Sequence, residues 1–96
     1  MADYDLLVER DALEFVDGLD EKSERICKDN LAKLADDPYP EGGTGDKERL
    51  VVDGEEVYRL HVGRTYTAFY DVDDDEQAVY VLEVLPIDEA HKRYGH

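Results

Sequence analysis

Residues 56–70, EVYRLHVGRTYTAFY, decide how this chain folds. Apolar and polar residues alternate from Glu56 to Val62. A Gly63-Arg64-Thr65 corner interrupts them, and the alternation resumes as far as Tyr70. A two-residue period is the mark of a strand with one face buried, and a glycine corner between two such runs is the mark of a hairpin. Side chains along a strand point to opposite faces in turn. Tyr58, Leu60 and Val62 therefore share one side and should meet a covering layer, while Arg59 and His61 share the other. On the next strand Tyr66, Ala68 and Tyr70 alternate with Thr67 and Phe69. A guanidinium and an imidazole side by side, in a chain of formal net charge -15, point to an anion as the ligand of that second face.

The flanking sequence supplies the covering layer. Tyr4 to Val8 (YDLLV) reads as a first strand. Asp11 to Val16 reads as a short helix with Leu13 and Val16 on its apolar side and Gly18 as its stop. Asp20 is a good N-cap for a second helix running to about Ala35. Its apolar stripe is Ile26, Cys27, Leu31, Leu34 and Ala35, and Asp36-Asp37-Pro38 ends it. Tyr39 to Asp46 (YPEGGTGD) is a loop. Arg49–Val52, Glu56–Val62 and Thr65–Val72 follow as strands in meander order, the first two joined by an Asp53-Gly54 hairpin signal. Asp73 to Glu76 is a solvated turn. Ala78–Leu85 (AVYVLEVL), almost wholly apolar, is a central strand ended by Pro86, and Asp88–Tyr94 has room for one or two helical turns. The expectation is a single α+β domain over residues 1–96. An N-terminal strand and a helical hairpin pack on one face of a mainly antiparallel, four- to five-stranded sheet, with a short C-terminal helix.

Composition narrows the function classes. With 96 residues there is enough for one core. Cys27 is the only cysteine, which excludes an internal disulfide and cysteine-based metal chemistry. No apolar run approaches the roughly 18 residues of a membrane helix, and the N-terminus lacks the pattern of a signal peptide, so a cytoplasmic location is expected. The acidic turn lacks the glycine and distal glutamate of a calcium loop, and neither metal nor cofactor is expected. Lys and Arg total 11 against 26 Asp and Glu. Carboxylates scattered along the whole chain fit adaptation to high salt, because at molar ionic strength the Debye length falls to about 3 Å and their repulsion is screened. The other reading is an acidic decoy surface for a basic partner. Charge is uneven: residues 1–57 hold 18 of the 26 acids, while all three histidines and the acid-free end HKRYGH lie beyond them. Anion recognition is expected in the C-terminal half.

The order of these signals resembles the RelE/ParE toxin superfamily. The resemblance is carried by a helical hairpin, ADDPYP, a loop, VYRLHVGRTYTAFYDV, an acidic turn and AVYVLEVL, and it spans about Tyr4 to Tyr94. It implies the toxin component of a type II toxin-antitoxin system, with a cognate antitoxin as partner and, for RelE-type members, ribosome-dependent cleavage of mRNA. ParE-type members are implied to act on DNA gyrase instead. Arg59 and His61 fall where RelE-type nucleases carry two basic residues on this strand, and Tyr94 falls near the family's late tyrosine. Arg49, Arg64, Lys92 and Arg93 are the further cations expected to contact RNA. Two positions depart from the pattern. Thr67 stands where the nucleases usually have a catalytic arginine, and Leu85-Pro86-Ile87 stands where the last strand usually ends in a basic residue.

The chemistry such a site needs can be stated from its residues. Cleavage of RNA by its own 2′-hydroxyl requires a base, a cation for the charge developing on phosphorus, and an acid for the departing oxygen. Histidine is the side-chain type suited to moving those protons near neutrality. Arg59 can hold phosphate oxygens through two parallel hydrogen bonds, and Tyr94 can stack on a base. The plainer alternatives are that Arg59 pairs across the sheet with an acid such as Glu83, that His61 is an exposed structural residue, and that Tyr94 seats a terminal helix. Cys27 reads as core and not as a nucleophile.

Overall fold

In the computed structural model, residues 4–39, 47–52, 54–63 and 65–89 are described. Strand β1 (Asp5–Val8) leads into helix α1 (Arg10–Asp17) and helix α2 (Glu21–Lys33). Strands β2 (Lys47–Val52), β3 (Glu55–Val62), β4 (Tyr66–Asp73) and β5 (Ala78–Pro86) follow, and residues 87–89 are helical. The five strands form one sheet in the order β1-β5-β4-β3-β2. β2 to β5 are an antiparallel meander, and β1 adds to β5 in parallel.

Local chemistry explains the boundaries. Asp20 caps α2, its Oδ2 accepting from the Ser23 backbone N–H at 3.3 Å, and the hydrogen bonds from Ser23 hold its carboxyl below the ordinary range. Glu21 and Glu24 in the first turn and Lys33 in the last complement the helix dipole. The hairpin turns use left-handed backbone where sequence permits it, at Gly54 (φ 83) and Gly63 (φ 62). The β4–β5 turn has no glycine, and Gln77 takes the positive φ of 53. Asp73 supports that turn by accepting from the backbone N–H groups of Asp75 and Glu76 at 3.0 and 3.1 Å.

Both helices pack on one face of the sheet. Ala12, Val16, Cys27, Leu31 and Leu34 meet Tyr58, Leu60, Val62, Ala68, Tyr70, Val79, Val81 and Val84 in one core. Two expected stripe residues lie outside it. Leu13 is 43% exposed and Ile26 is 38% exposed. Each sits about 100° around its helix from a buried neighbour, Ala12 or Cys27, and on so short a helix the small Ala12 is what the sheet admits.

One irregularity in β5 sets which side chains reach the core. Phe69 pairs with Glu83 and Tyr70 with Val81, leaving Leu82 as an extra residue. Strict alternation from Val79 and Val81 would aim Glu83 at the helices. The bulge turns Glu83 to the opposite face beside Phe69 and brings Val84 into the core.

The acidic turn is also more than solvated surface. Asp74 accepts from the Tyr4 hydroxyl at 2.9 Å and from the Tyr39 hydroxyl at 2.6 Å. That carboxylate ties the first strand and the segment after α2 to the β4–β5 turn. Tyr39 stands edge-on to Tyr58, which stacks on Tyr70 with ring centroids 5.5 Å apart. Tyr70 is wholly buried and donates its hydroxyl to the Pro38 carbonyl at 2.6 Å.

Burial raises the Tyr70 phenol above its usual 10.0, and the hydrogen bond to Asp74 raises that of Tyr39. Both groups fold as neutral phenols, and the unfolded chain releases their protons first. These two groups therefore add no pH dependence well below pH 10 and lower stability as pH rises above it, as urea titrations at stepped pH will show. Tyr70→Phe costs about 1 kcal/mol at neutral pH, from loss of the Pro38 hydrogen bond, and makes the alkaline fall shallower. An unchanged alkaline slope in that variant would remove Tyr70 as its source.

Candidate functional site

The face of the sheet turned away from the helices carries the candidate site. Paired strand residues point to the same side, so the register gives its layout. One row runs Glu48 on β2, Arg59 on β3, Phe69 on β4 and Glu83 on β5. The next row runs His61, Thr67 and Leu85. Arg59 and His61 project together from the helix-free side, next to one another along β3.

The floor beneath them is apolar. Phe69 (0% exposed) and Val57 (8%) form a second small cluster with the partly buried Leu50, Leu82 and Leu85 packed against it. Thr67 lies in this floor at 2% exposure, the one buried polar residue among those described. Thr67, where the resemblance implies an arginine, is thus a closed, sheet-embedded position.

Arg59 does not face solvent as a free cation. Its Nη2 donates to Glu48 Oε2 across the β2–β3 pair, and its side chain is 21% exposed against 43% for Glu48. Arg59 Nε is buried without a hydrogen-bond partner among the described residues. Leaving such a donor unpaired costs about 1–3 kcal/mol in general, so the observed pose satisfies only part of the guanidinium. Arg59 is also the sole permanent cation on this face among the described strand residues, and two glutamates share its row.

The remaining predicted residues separate. Arg49 pairs in register with Tyr58 and so lies on the helix side of β2. There it meets Glu56 at 3.5 Å, both side chains more than half exposed. The structure does not bring it to Arg59 and His61. Arg64, Lys92, Arg93 and Tyr94 lie outside the described residues. The alternative reading, in which Arg59 pairs across the sheet with an acid such as Glu83, has its acid in Glu48, which the structure sets opposite Arg59 in register and in contact with it. A signal for it was present, because the two-residue connection Asp53-Gly54 pairs Val52 with Glu55, and counting outward along both strands sets Glu48 opposite Arg59.

The chain matches the family model described as the ParE toxin of the type II toxin-antitoxin system parDE over residues 3–90. No curated protein matches it. Among solved structures it is similar to a chain of the archaeal RelE–RelB complex from Pyrococcus horikoshii, at 20% identity over 88% of this chain and 94% of that one, with a TM-score of 0.72. It is similar to a chain of the RelBE2 toxin-antitoxin complex from Mycobacterium tuberculosis, at 18% identity over 84% and 94%, with a TM-score of 0.69. It is also similar to the YoeB/ParE toxin from Agrobacterium tumefaciens, at 18% identity over 83% and 94%, with a TM-score of 0.66. At these identities the likenesses establish the fold.

Since Phe69 anchors the floor on which Arg59 and His61 stand, Phe69→Ala is expected to destabilise the domain by about 3–5 kcal/mol in urea unfolding. A loss under about 1 kcal/mol would mean that this second cluster is not a packed core.

Proposed function

The chain belongs to the ParE toxin family of type II toxin-antitoxin systems, and on that premise we propose that it is a RelE-like toxin that cleaves mRNA on the ribosome and is held inactive by a cognate antitoxin. The observation that supports this reading is that Arg59 and His61 stand two residues apart on β3, on the helix-free face of the sheet. Arg59 binds phosphate oxygens there, and His61 moves the proton of the attacking 2′-hydroxyl or of the departing 5′-oxygen. Tyr94 stacks on a base, and Arg64, Lys92 and Arg93 hold the RNA backbone. The antitoxin partner is supported by the solved complexes to which the fold is similar.

A second reading has its own support. Arg59 is engaged by Glu48, and Thr67 occupies a buried position where the nucleases have an arginine. A member that stops growth by binding a protein target, as ParE-type toxins do, needs neither group free. Induced expression separates the two. Growth arrest with mRNA cut between codons in a translating extract is the expected result, and His61→Ala lowers the cleavage rate by about 10²–10⁴. Arrest with intact mRNA would favour the protein-target reading, and undiminished cleavage by the variant would remove His61 from the mechanism.

We read the -15 charge as adaptation to a saline cytoplasm. Its consequence is measurable apart from activity: the unfolding temperature rises as KCl goes from about 0.1 M to molar levels, as the Debye length falls from about 10 Å to about 3 Å. A melting temperature that is constant or falling across that range would exclude a halophilic surface.

A further inference from the structure

We propose that Glu48 is an internal counter-ion that gates the Arg59 anion site: substrate phosphate enters by displacing the Glu48 carboxylate from the guanidinium, so Glu48 sets the affinity and the salt dependence with which this face takes RNA. The inference rests on the RNA-cleaving reading above and adds to it a residue that controls specificity for the charged ligand.

Three observations carry it. The first is position. Glu48 lies on β2, the edge strand, directly opposite Arg59 in register. Its side chain is the more exposed of the two, 43% against 21%. The guanidinium sits over the apolar floor beside Phe69, whereas the carboxylate borders solvent. When the two part, the carboxylate is the group that can turn to water.

The second is the unsatisfied donor. With Nη2 given to Glu48 and Nε buried without a partner among the described residues, the paired pose uses one arm of a fork built for two. A phosphate set against the Nε–Nη2 edge engages both arms. The anion-bound pose therefore satisfies a donor that the carboxylate-bound pose leaves empty, and this lets a phosphate compete with a carboxylate already in place.

The third is isolation. Arg59 is the sole permanent cation on this face among the described strand residues, and Glu83 shares its row. With Glu48 in contact the local charge at Arg59 is cancelled, and the described strand residues offer an approaching RNA no other permanent cation on this face. His61, adjacent along β3, then works on a phosphate only after the exchange has occurred.

The test uses the full chain and a short single-stranded RNA oligonucleotide, with binding followed by fluorescence anisotropy across a KCl series. Glu48→Gln keeps the shape and removes the charge. It is expected to bind about three- to tenfold more tightly than the parent. Its plot of log affinity against log salt should steepen by about 0.7, the contribution of one more phosphate contact on a single strand. Both effects should vanish in the Glu48→Gln/Arg59→Gln double variant. Glu76→Gln, which removes the same charge from the distant β4–β5 turn, should change neither. Where the amide variant fails to fold by circular dichroism, Glu48→Thr, a strand-favouring residue without charge, takes its place. Unaltered affinity and slope in Glu48→Gln, with weaker binding in Arg59→Gln, would overturn the gate and leave the RNA-binding reading standing. Binding indifferent to both residues would overturn that reading, and the gate with it.

Discussion

Helices cover one face of this sheet only, and that constraint makes parity along each strand decisive. A residue on β3 belongs to the core or to the outer face according to whether its position is even or odd, and a slip of one residue would exchange the two sets. The chain holds parity at three points. Gly54 and Gly63 close turns whose backbone an ordinary residue resists. The third is the bulge at Leu82, where β5 changes phase so that Glu83 leaves the helix side and Val84 replaces it. Without it a carboxylate would be carried under α1 and α2, where desolvation would cost several kcal/mol. The placement of Arg59 and His61 on the outer face follows from the same bookkeeping of alternation as the burial of Tyr58, Leu60 and Val62.

Excess negative charge shapes what the cations do. Lys28 contacts both Asp17 and Glu24, Lys47 meets Asp37, Arg49 meets Glu56, and Arg59 meets Glu48. In water of low ionic strength each exposed pair of this kind is worth about 0–1 kcal/mol, so they do little for stability. Their consequence is for recognition. A cation already facing a carboxylate presents an incoming anion with a competitor, and in a chain with 26 acids such competitors are everywhere. Arg59 and Lys47 are the more buried of these cations, at 21% and 15% side-chain exposure, and of the two only Arg59 lies on the helix-free face over an apolar floor, where neither salt nor water replaces a lost partner as readily.

The elements were legible because each rests on a short-range rule: alternation for the strands, a capping aspartate for α2, glycine turns for the hairpins. The helix faces were less so. Leu13 is the larger apolar residue of the first turns of α1, yet Ala12 is buried in its place, because the depth available against β5 is set by the sheet and not by the helix. Asp74 was legible only as a turn residue. Its two tyrosine partners, Tyr4 and Tyr39, are 70 and 35 positions away in sequence, and no local pattern announces such a contact. The same holds for the bulge, which shows itself only in the pairing with β4. Glu48 is the intermediate case: its position followed from a hairpin already recognised, but only by carrying the register outward from the turn.

Thr67 shows why the fold and the chemistry separate. The position lies directly opposite His61 in register and is closed to solvent at 2% exposure. A long cationic side chain there would have to thread out past Leu85 and its neighbours to reach a phosphate, and the apolar cluster beneath leaves its stem no polar company. Threonine instead completes the floor, with a methyl group against apolar neighbours and a strand-favouring backbone. The sheet is thereby made more secure at a point where the resemblance implies a charge. Among the described strand residues Arg59 is the one permanent cation of this face, so what it contributes to the potential there depends on the position of the Glu48 carboxylate relative to it. A fold common to many toxins fixes where that pair stands. In the proposed gate, the equilibrium between paired and released guanidinium, a property of two side chains, sets how readily Arg59 takes an anion.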